Sequence, residues 1–131
     1  MPEWHLRLTL LPGAFAICRL PADAPIPIWA SGGSFVSITR TANELSVVCR
    51  ADLVPAGVLA DTDWRCLRVE GPFDLTTATG VLASIASPLA AASISLFALA
   101  TFDTDYILIH AADLECVRAA LAEAGHTVTL D

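Results

Sequence analysis

Two segments with helical periodicity, separated by a strand–turn–strand unit and bracketed by strands, fill the second half of the chain and constrain its fold more than any other feature. Residues 66–70 read as a strand that stops at Gly71-Pro72. Thr76, Thr77 and Thr79 offer N-cap choices for a helix running to about Ala92, with Val81, Leu82, Ile85 and Leu89 on its apolar face. Pro88 removes one internal hydrogen bond, which predicts a kink or strain there. Residues 94–100 are apolar on both faces and are expected to form a central strand. Phe102-Asp103-Thr104-Asp105 is a tight turn, and residues 106–109 return from it. Asp113 is expected to cap a second helix with Leu114, Val117 and Leu121 on one face, and Gly125 to end it. Residues 127–130 close the series as a strand. The order β-α-β-β-α-β is the split βαβ of a ferredoxin-like module, an α+β fold with its helices on one face of an antiparallel sheet.

The first half is less regular. Leu6, Leu8 and Leu10 alternate with Arg7 and Thr9, and Pro12-Gly13 marks a turn before Phe15, Ile17 and Cys18. This predicts a hairpin. Residues 21–27 carry three prolines and read as an irregular connector, and residues 31–34 as a loop. Residues 35–40 and 45–49 make a second hairpin around the turn at 41–44, and residues 51–63 read as a helical turn and linker. The segment 35–48 aligns with 96–109 at a constant offset of 61 residues, position 96 falling on position 35. A duplication is the expected origin, with a degenerate first copy at residues 1–62 and a full copy at 63–131.

Hydrophobic residues make up 55% of the 131 residues and charged residues 16%, which excludes disorder because enough surface can be buried to offset the ordering entropy. The longest low-charge stretch, residues 75–102, contains Pro88 and many Thr and Ser, so a membrane span is not expected. Glu3, His5 and Arg7 interrupt any apolar leader, and a cytoplasmic protein is expected. Seven basic residues, all Arg, oppose 14 acidic ones, giving a net charge of −7. That sign repels phosphate backbones and excludes nucleic acid as the expected partner, while fitting an uncharged or cationic small ligand. Cys18, Cys49, Cys66 and Cys116 form no CxxC pair, and His5, His110 and His126 share no ligand spacing with them. Buried, reduced thiols and no metal site or cofactor are the expectation. No catalytic triad order, phosphate loop or zinc motif appears, so no enzyme and no catalytic residue is predicted.

A binding site does suggest itself. A zwitterion needs donors for its carboxylate and acceptors for its ammonium. The start of the helix at Thr79, Gly80 and Val81 offers free amides with a partial positive charge, and Gly80 permits close backbone approach. Asp105, with Asp103 beside it, supplies negative charge from the neighbouring strand, and Thr101 and Phe102 carry backbone groups and a ring to the same edge. Each residue also has a local reading: Asp103-Thr104-Asp105 as a plain hairpin turn, Gly80 as a packing glycine, Phe102 as core.

The strings Leu67-Arg68-Val69-Glu70-Gly71-Pro72-Phe73-Asp74, Thr79-Gly80-Val81-Leu82 with Ser87-Pro88-Leu89-Ala90, and Phe97-Ala98-Leu99-Ala100-Thr101-Phe102-Asp103-Thr104-Asp105-Tyr106 resemble the tandem ACT-domain proteins related to CASTOR-type arginine sensors, whose bacterial members are labelled aspartate-kinase-like. The resemblance implies a degenerate N-terminal ACT-like module followed by a C-terminal ACT module, and a non-enzymatic regulatory protein. It implies an amino acid held between the strand-to-helix loop of one module and the sheet edge of a neighbour. A homodimer would supply the missing modules, and the N-terminal hairpin could complete the second sheet by strand exchange. Asp105, Thr101 and Phe102 match family positions at that edge. Ala78 stands where the arginine sensors carry an acidic residue, two positions before the glycine. The alternative is a structural or interaction module that pairs through its sheet edges with a protein partner.

Overall fold

The computed structural model describes residues 4–74 and 78–130. Among them run strands β1 (Arg7–Leu10), β2 (Phe15–Leu20), β3 (Ser37–Arg40), β4 (Leu45–Arg50), β5 (Leu59–Val69), β6 (Phe97–Ala100), β7 (Asp105–His110) and β8 (Thr127–Leu130), with helices α1 (Val81–Ala91) and α2 (Leu114–Glu123). The chain divides into two compact units, one of residues 13–64 and one combining the residues up to 12 with those from 65 onward. Thr76 and Thr77, two of the expected cap choices, lie outside the described residues.

In the 13–64 unit the strand order is β3-β4-β2-β5, with antiparallel pairing throughout. These are the order and directions of a ferredoxin-like sheet. Short 3-10 turns, Ile28–Ser31 and Ala51–Leu53, stand where its helices would. Ala16, Cys18, Ala30, Leu45, Val47 and Cys49 form the core. The β3–β4 hairpin falls where the sequence puts it, because the Thr41 hydroxyl accepts the N–H groups of Asn43 and Glu44. Residues 59–63 are strand, not linker. They pair with β2 across a register shift opposite Phe15 and Ile17, and Asp63 sits at φ 66° beside it. Asp tolerates that conformation, and the bulge hides the alternation that would have revealed the strand.

In the second unit β5 pairs with β7 and β7 with β6, while β1 lies between β5 and β8, antiparallel to the first and parallel to the second. The expected hairpin between residues 6–10 and 15–18 therefore does not form. Leu6, Leu8 and Leu10 instead join a helix-covered core with Leu67, Val69, Ile85, Leu89, Ile107, Ile109, Val117 and Leu121. A slot between two strands satisfies both backbone edges of β1 as well as its apolar face, which a hairpin would not. β6 is an edge strand, paired among the described residues only with β7, and not the central strand its composition suggests. Ile94 and Leu96, just before it, reach the core, whereas Ala98 and Ala100 are exposed.

α1 continues through Pro88. The carbonyl that loses its donor is Ser84, four residues back. His126 Nε2 donates to that oxygen at 2.9 Å, and His126 Nδ1 accepts the Leu6 N–H at 3.0 Å. One buried imidazole therefore repairs the helix and fastens the approach to β1. Among the described residues no helix is long and apolar enough to cross a membrane, and no three His, Cys, Asp or Glu side chains cluster as a metal site would require.

Candidate functional site

The site residues named from sequence all belong to the second unit. α1 begins at Gly80, whose φ of 78° is left-handed, so glycine is favoured there by backbone conformation. Packing is not the reason: a Cβ at Gly80 would meet its first neighbour, Trp4 Nε1, only at 3.7 Å. Gly80, as the N-cap residue, has no side chain with which to cap this end of α1, and no acidic residue occupies its first turn. The first amides of a helix lack intrahelical acceptors, so this end carries partial positive charge. Val81 contributes an amide only, its side chain being buried in the core. The Thr79 carbonyl accepts the Trp4 indole N–H at 2.8 Å.

The second half of the site is the β6–β7 turn. The Thr101 N–H donates to the Thr104 carbonyl at 2.8 Å, and the Thr101 hydroxyl accepts the Thr104 N–H at 3.3 Å. Thr104 is buried and donates its hydroxyl to the Val69 carbonyl at 2.7 Å. Asp103 is exposed, and its carbonyl accepts the Phe73 N–H at 2.8 Å. Phe102 is 85% exposed, so the core reading of its ring fails. Asp105 opens β7 opposite Ala100 and is half-buried; among the described residues it has no ion-pair partner, and burial pushes its carboxyl pKa upward.

The loop after β5 connects these halves. The Trp4 and Phe73 rings meet edge-on at 5.7 Å, so Trp4 touches both Thr79 and Phe73 while Phe73 holds Asp103. Gly71 is pressed so closely that a Cβ would lie 3.1–3.2 Å from the Asp103 carbonyl, the Phe73 ring and Thr104. The structure thus ties the start of α1 and the turn to one loop. It also separates the turn's residues. By strand alternation, Asp105 shares the helix side of the sheet with Ile107 and Ile109. Thr101 and Asp103 instead line a cleft of about 370 Å³ with Arg68, Glu70, Gly71, Pro72, Thr104 and Tyr106. Sequence reasoning missed Arg68, Thr104 and Trp4; Arg68, the charged residue of an otherwise apolar strand end, was the one readable signal.

Three of the four thiols are buried. Cys18 and Cys49 meet in the core of the first unit, and burial pushes the Cys18 thiol up to about 11 and the Cys66 thiol up to about 12.

Residues 59–123 match the family model of the ACT domain, and residues 13–57 match a model described as an N-terminal domain. No curated protein matches the chain. Protein Atu0741 from Agrobacterium tumefaciens is 43% identical, with a TM-score of 0.93 over 98% of this chain and 96% of that one. VC0802 from Vibrio cholerae, described as a protein of unknown function and possible transport protein, has a TM-score of 0.74 at 20% identity, over 92% of this chain and 90% of its own. The regulatory subunit of aspartate kinase from Thermus thermophilus has a TM-score of 0.55 at 13% identity, over 85% of this chain and 91% of its own. The last two are similarities of fold. With the β-α-β-β-α-β unit, its matching family model and a full-length relative at this identity, the chain is an ACT-domain protein and belongs to one family with the Agrobacterium protein.

Proposed function

We propose that this chain is a non-enzymatic regulatory protein that binds a free amino acid through its second unit. The observation that carries the reading is the start of α1, with glycine at its N-cap and no acidic residue in its first turn, tied through Trp4 and Phe73 to the turn that bears Asp105. Amides from Gly80 onward receive the ligand carboxylate, and Asp105 receives the ammonium, each charge-assisted bond contributing about 1.5–3 kcal/mol. Phe102, exposed at the turn, covers the ligand. A cationic or neutral side chain suits the net charge of −7. The regulatory role rests on likeness of fold to aspartate kinase regulatory subunits. Arginine itself is not favoured, because Ala78 removes the acidic partner that the arginine sensors place there.

A thermal-shift screen of the free amino acids tests this. A ligand at a hundred times its Kd stabilises the native state by about 2.7 kcal/mol. A flat response at millimolar concentrations from folded protein sinks the proposal. A response that survives Asp105→Ala moves the ammonium elsewhere.

A homodimer is the second part of the proposal. Among the described residues β6 pairs on one edge only, and Ala98 and Ala100 lie exposed beside it. No charge, proline or bulge guards that edge, the kind of edge that recruits another strand. Light scattering checks it, and a monomer at high micromolar concentration removes it.

A further inference from the structure

The cleft on the other side of the β6–β7 turn holds a charge the proposed amino-acid site does not use. Arg68 lies on β5 between Leu67 and Val69, both of which face the helices, so its side chain projects from the helix-free face. It stands opposite Thr9 of β1 and is half-buried. Among the described residues its guanidinium forms no hydrogen bond or ion pair. Its guanidinium nitrogens keep contact with solvent, so an incoming carboxylate can reach them and form charge-assisted bonds.

The surroundings decide which anion. The cleft of about 370 Å³ falls in the range of small-molecule sites, roughly 300–1,000 Å³. Besides Arg68, its charged lining residues are Glu70 and Asp103. Glu70 is held by Arg7 at 3.6 Å, leaving Asp103, exposed at the turn, as the free carboxylate. One cation and one free anion lining one cleft complement a zwitterion, whereas a dicarboxylate or phosphate would bring its second negative charge towards Asp103. Thr101 offers nothing further, since its hydroxyl already serves both the N–H and the carbonyl of Thr104. Thr104 is likewise engaged, its hydroxyl bonded to Val69.

We infer that the Arg68 cleft is an α-amino-acid site in its own right, with Arg68 clasping the carboxylate and Asp103 the ammonium, on the face of the turn opposite Asp105. The inference rests on the reading of the second unit as an amino-acid receptor, but its residues differ from those proposed there, so the two separate by experiment.

Titration calorimetry on the full chain, using the amino acid that gives the largest thermal shift and the same molecule as its α-carboxamide, supplies the test. Replacing the carboxylate should weaken binding roughly 10- to 100-fold in the wild type, the value of one charge-assisted fork. In Arg68→Gln the binding event contributed by the cleft should weaken roughly 10- to 100-fold for the acid, and at that event the acid and the amide should differ by less than about threefold, while the event that Asp105→Ala removes keeps its own acid–amide ratio. Arg68→Lys, which keeps the charge but loses the fork, should fall between. A purely structural role for Arg68 would lower both affinities equally and preserve their ratio, which overturns the inference. Unchanged binding in Arg68→Gln with loss in Asp105→Ala overturns it as well, while leaving the proposed function standing. No amino acid binding to the wild type overturns both.

Discussion

His126 offers the most direct test of how this chain closes its second unit. It is 4% exposed, and its two ring nitrogens serve two backbone groups from different elements. The Ser84 carbonyl cannot donate, so Nε2 carries the proton; the Leu6 N–H cannot accept, so Nδ1 offers its lone pair. Replacing His126 by Phe keeps a ring but strands both groups. A buried polar group left without its partner costs about 1–3 kcal/mol. The Leu6 N–H is fully enclosed and belongs near the top of that range, whereas the Ser84 carbonyl is only partly buried and belongs near the bottom. His126→Phe should therefore cost about 3–4 kcal/mol, lowering the urea midpoint by roughly 1.5–2 M for an m-value of about 2 kcal/mol/M. His126→Asn, whose Oδ1 takes the place of Nδ1, should cost only about 1 kcal/mol.

The same reasoning ties His126 to a residue 38 positions away in sequence. Pro88→Ala returns a backbone N–H that can reach the Ser84 carbonyl, so this group no longer depends on the imidazole. In the Pro88→Ala background, His126→Asn should cost almost nothing, a coupling of about 1 kcal/mol in a double-mutant cycle read from urea denaturation. If the two substitutions add within about 0.3 kcal/mol, the Ser84 carbonyl is not the shared group and the account of how α1 tolerates its proline is wrong.

Asp105 makes the native state more acid-loving than the unfolded chain: its carboxyl pKa is raised by burial, so stability falls as pH rises from the usual aspartate value through the raised one. Asp105→Asn should remove that slope in pH-dependent urea melts and leave the ligand-free protein more stable at pH 7; a less stable variant would show that the carboxylate has a partner. Native protein at pH 7.5 should react with a thiol reagent quickly at the exposed Cys116 only, with Cys18, Cys49 and Cys66 released on denaturation, since burial raises the pKa of all three. Rapid labelling of a second thiol would contradict the packing described. Gly71→Ala should cost about 1–3 kcal/mol in the same urea assay, because the added methyl meets the Asp103 carbonyl, Phe73 and Thr104 at once; a neutral result would mean the loop does not press on the turn.

The parts of the fold that the sequence revealed are those written in local periodicity. Val81, Ile85 and Leu89 mark one helix and Val117 and Leu121 the other, and both helices form at these positions with those residues buried, whereas Leu82, expected on the same face, is exposed and Asp113 makes no side-chain cap bond. The hairpins turning at residues 41–44 and 101–104 announce themselves through Thr, Asn and Asp. What stayed hidden depends on partners far along the chain. By its own residues β1 looks like half of a hairpin, and only the family resemblance pointed to the second sheet, where its three leucines fit between β5 and β8. Residues 59–63 look like linker because Asp61, Thr62 and Asp63 bulge away from strict alternation. The edge position of β6 was hidden because Ile94 and Leu96, not the strand itself, supply the buried apolar groups.

The candidate site divides along the same line. Gly80 was identifiable as special, and its left-handed φ sets it apart, whereas the reading of it as a packing glycine fails because there is space to spare around it. Asp103 and Asp105 are two residues apart, which in a strand would put them on one face, yet Asp103 belongs to the turn and lines a cleft to which Asp105 does not contribute. A linear reading merges them into one acidic edge. The third dimension gives them different companions, α1's helical layer for Asp105 and the Arg68 cleft for Asp103, and a short turn anchored by the buried Thr104 holds the two apart. Because Phe73 grips the backbone of Asp103 and Gly71 leaves no slack beneath it, a ligand on either side of the turn would be felt by the same loop.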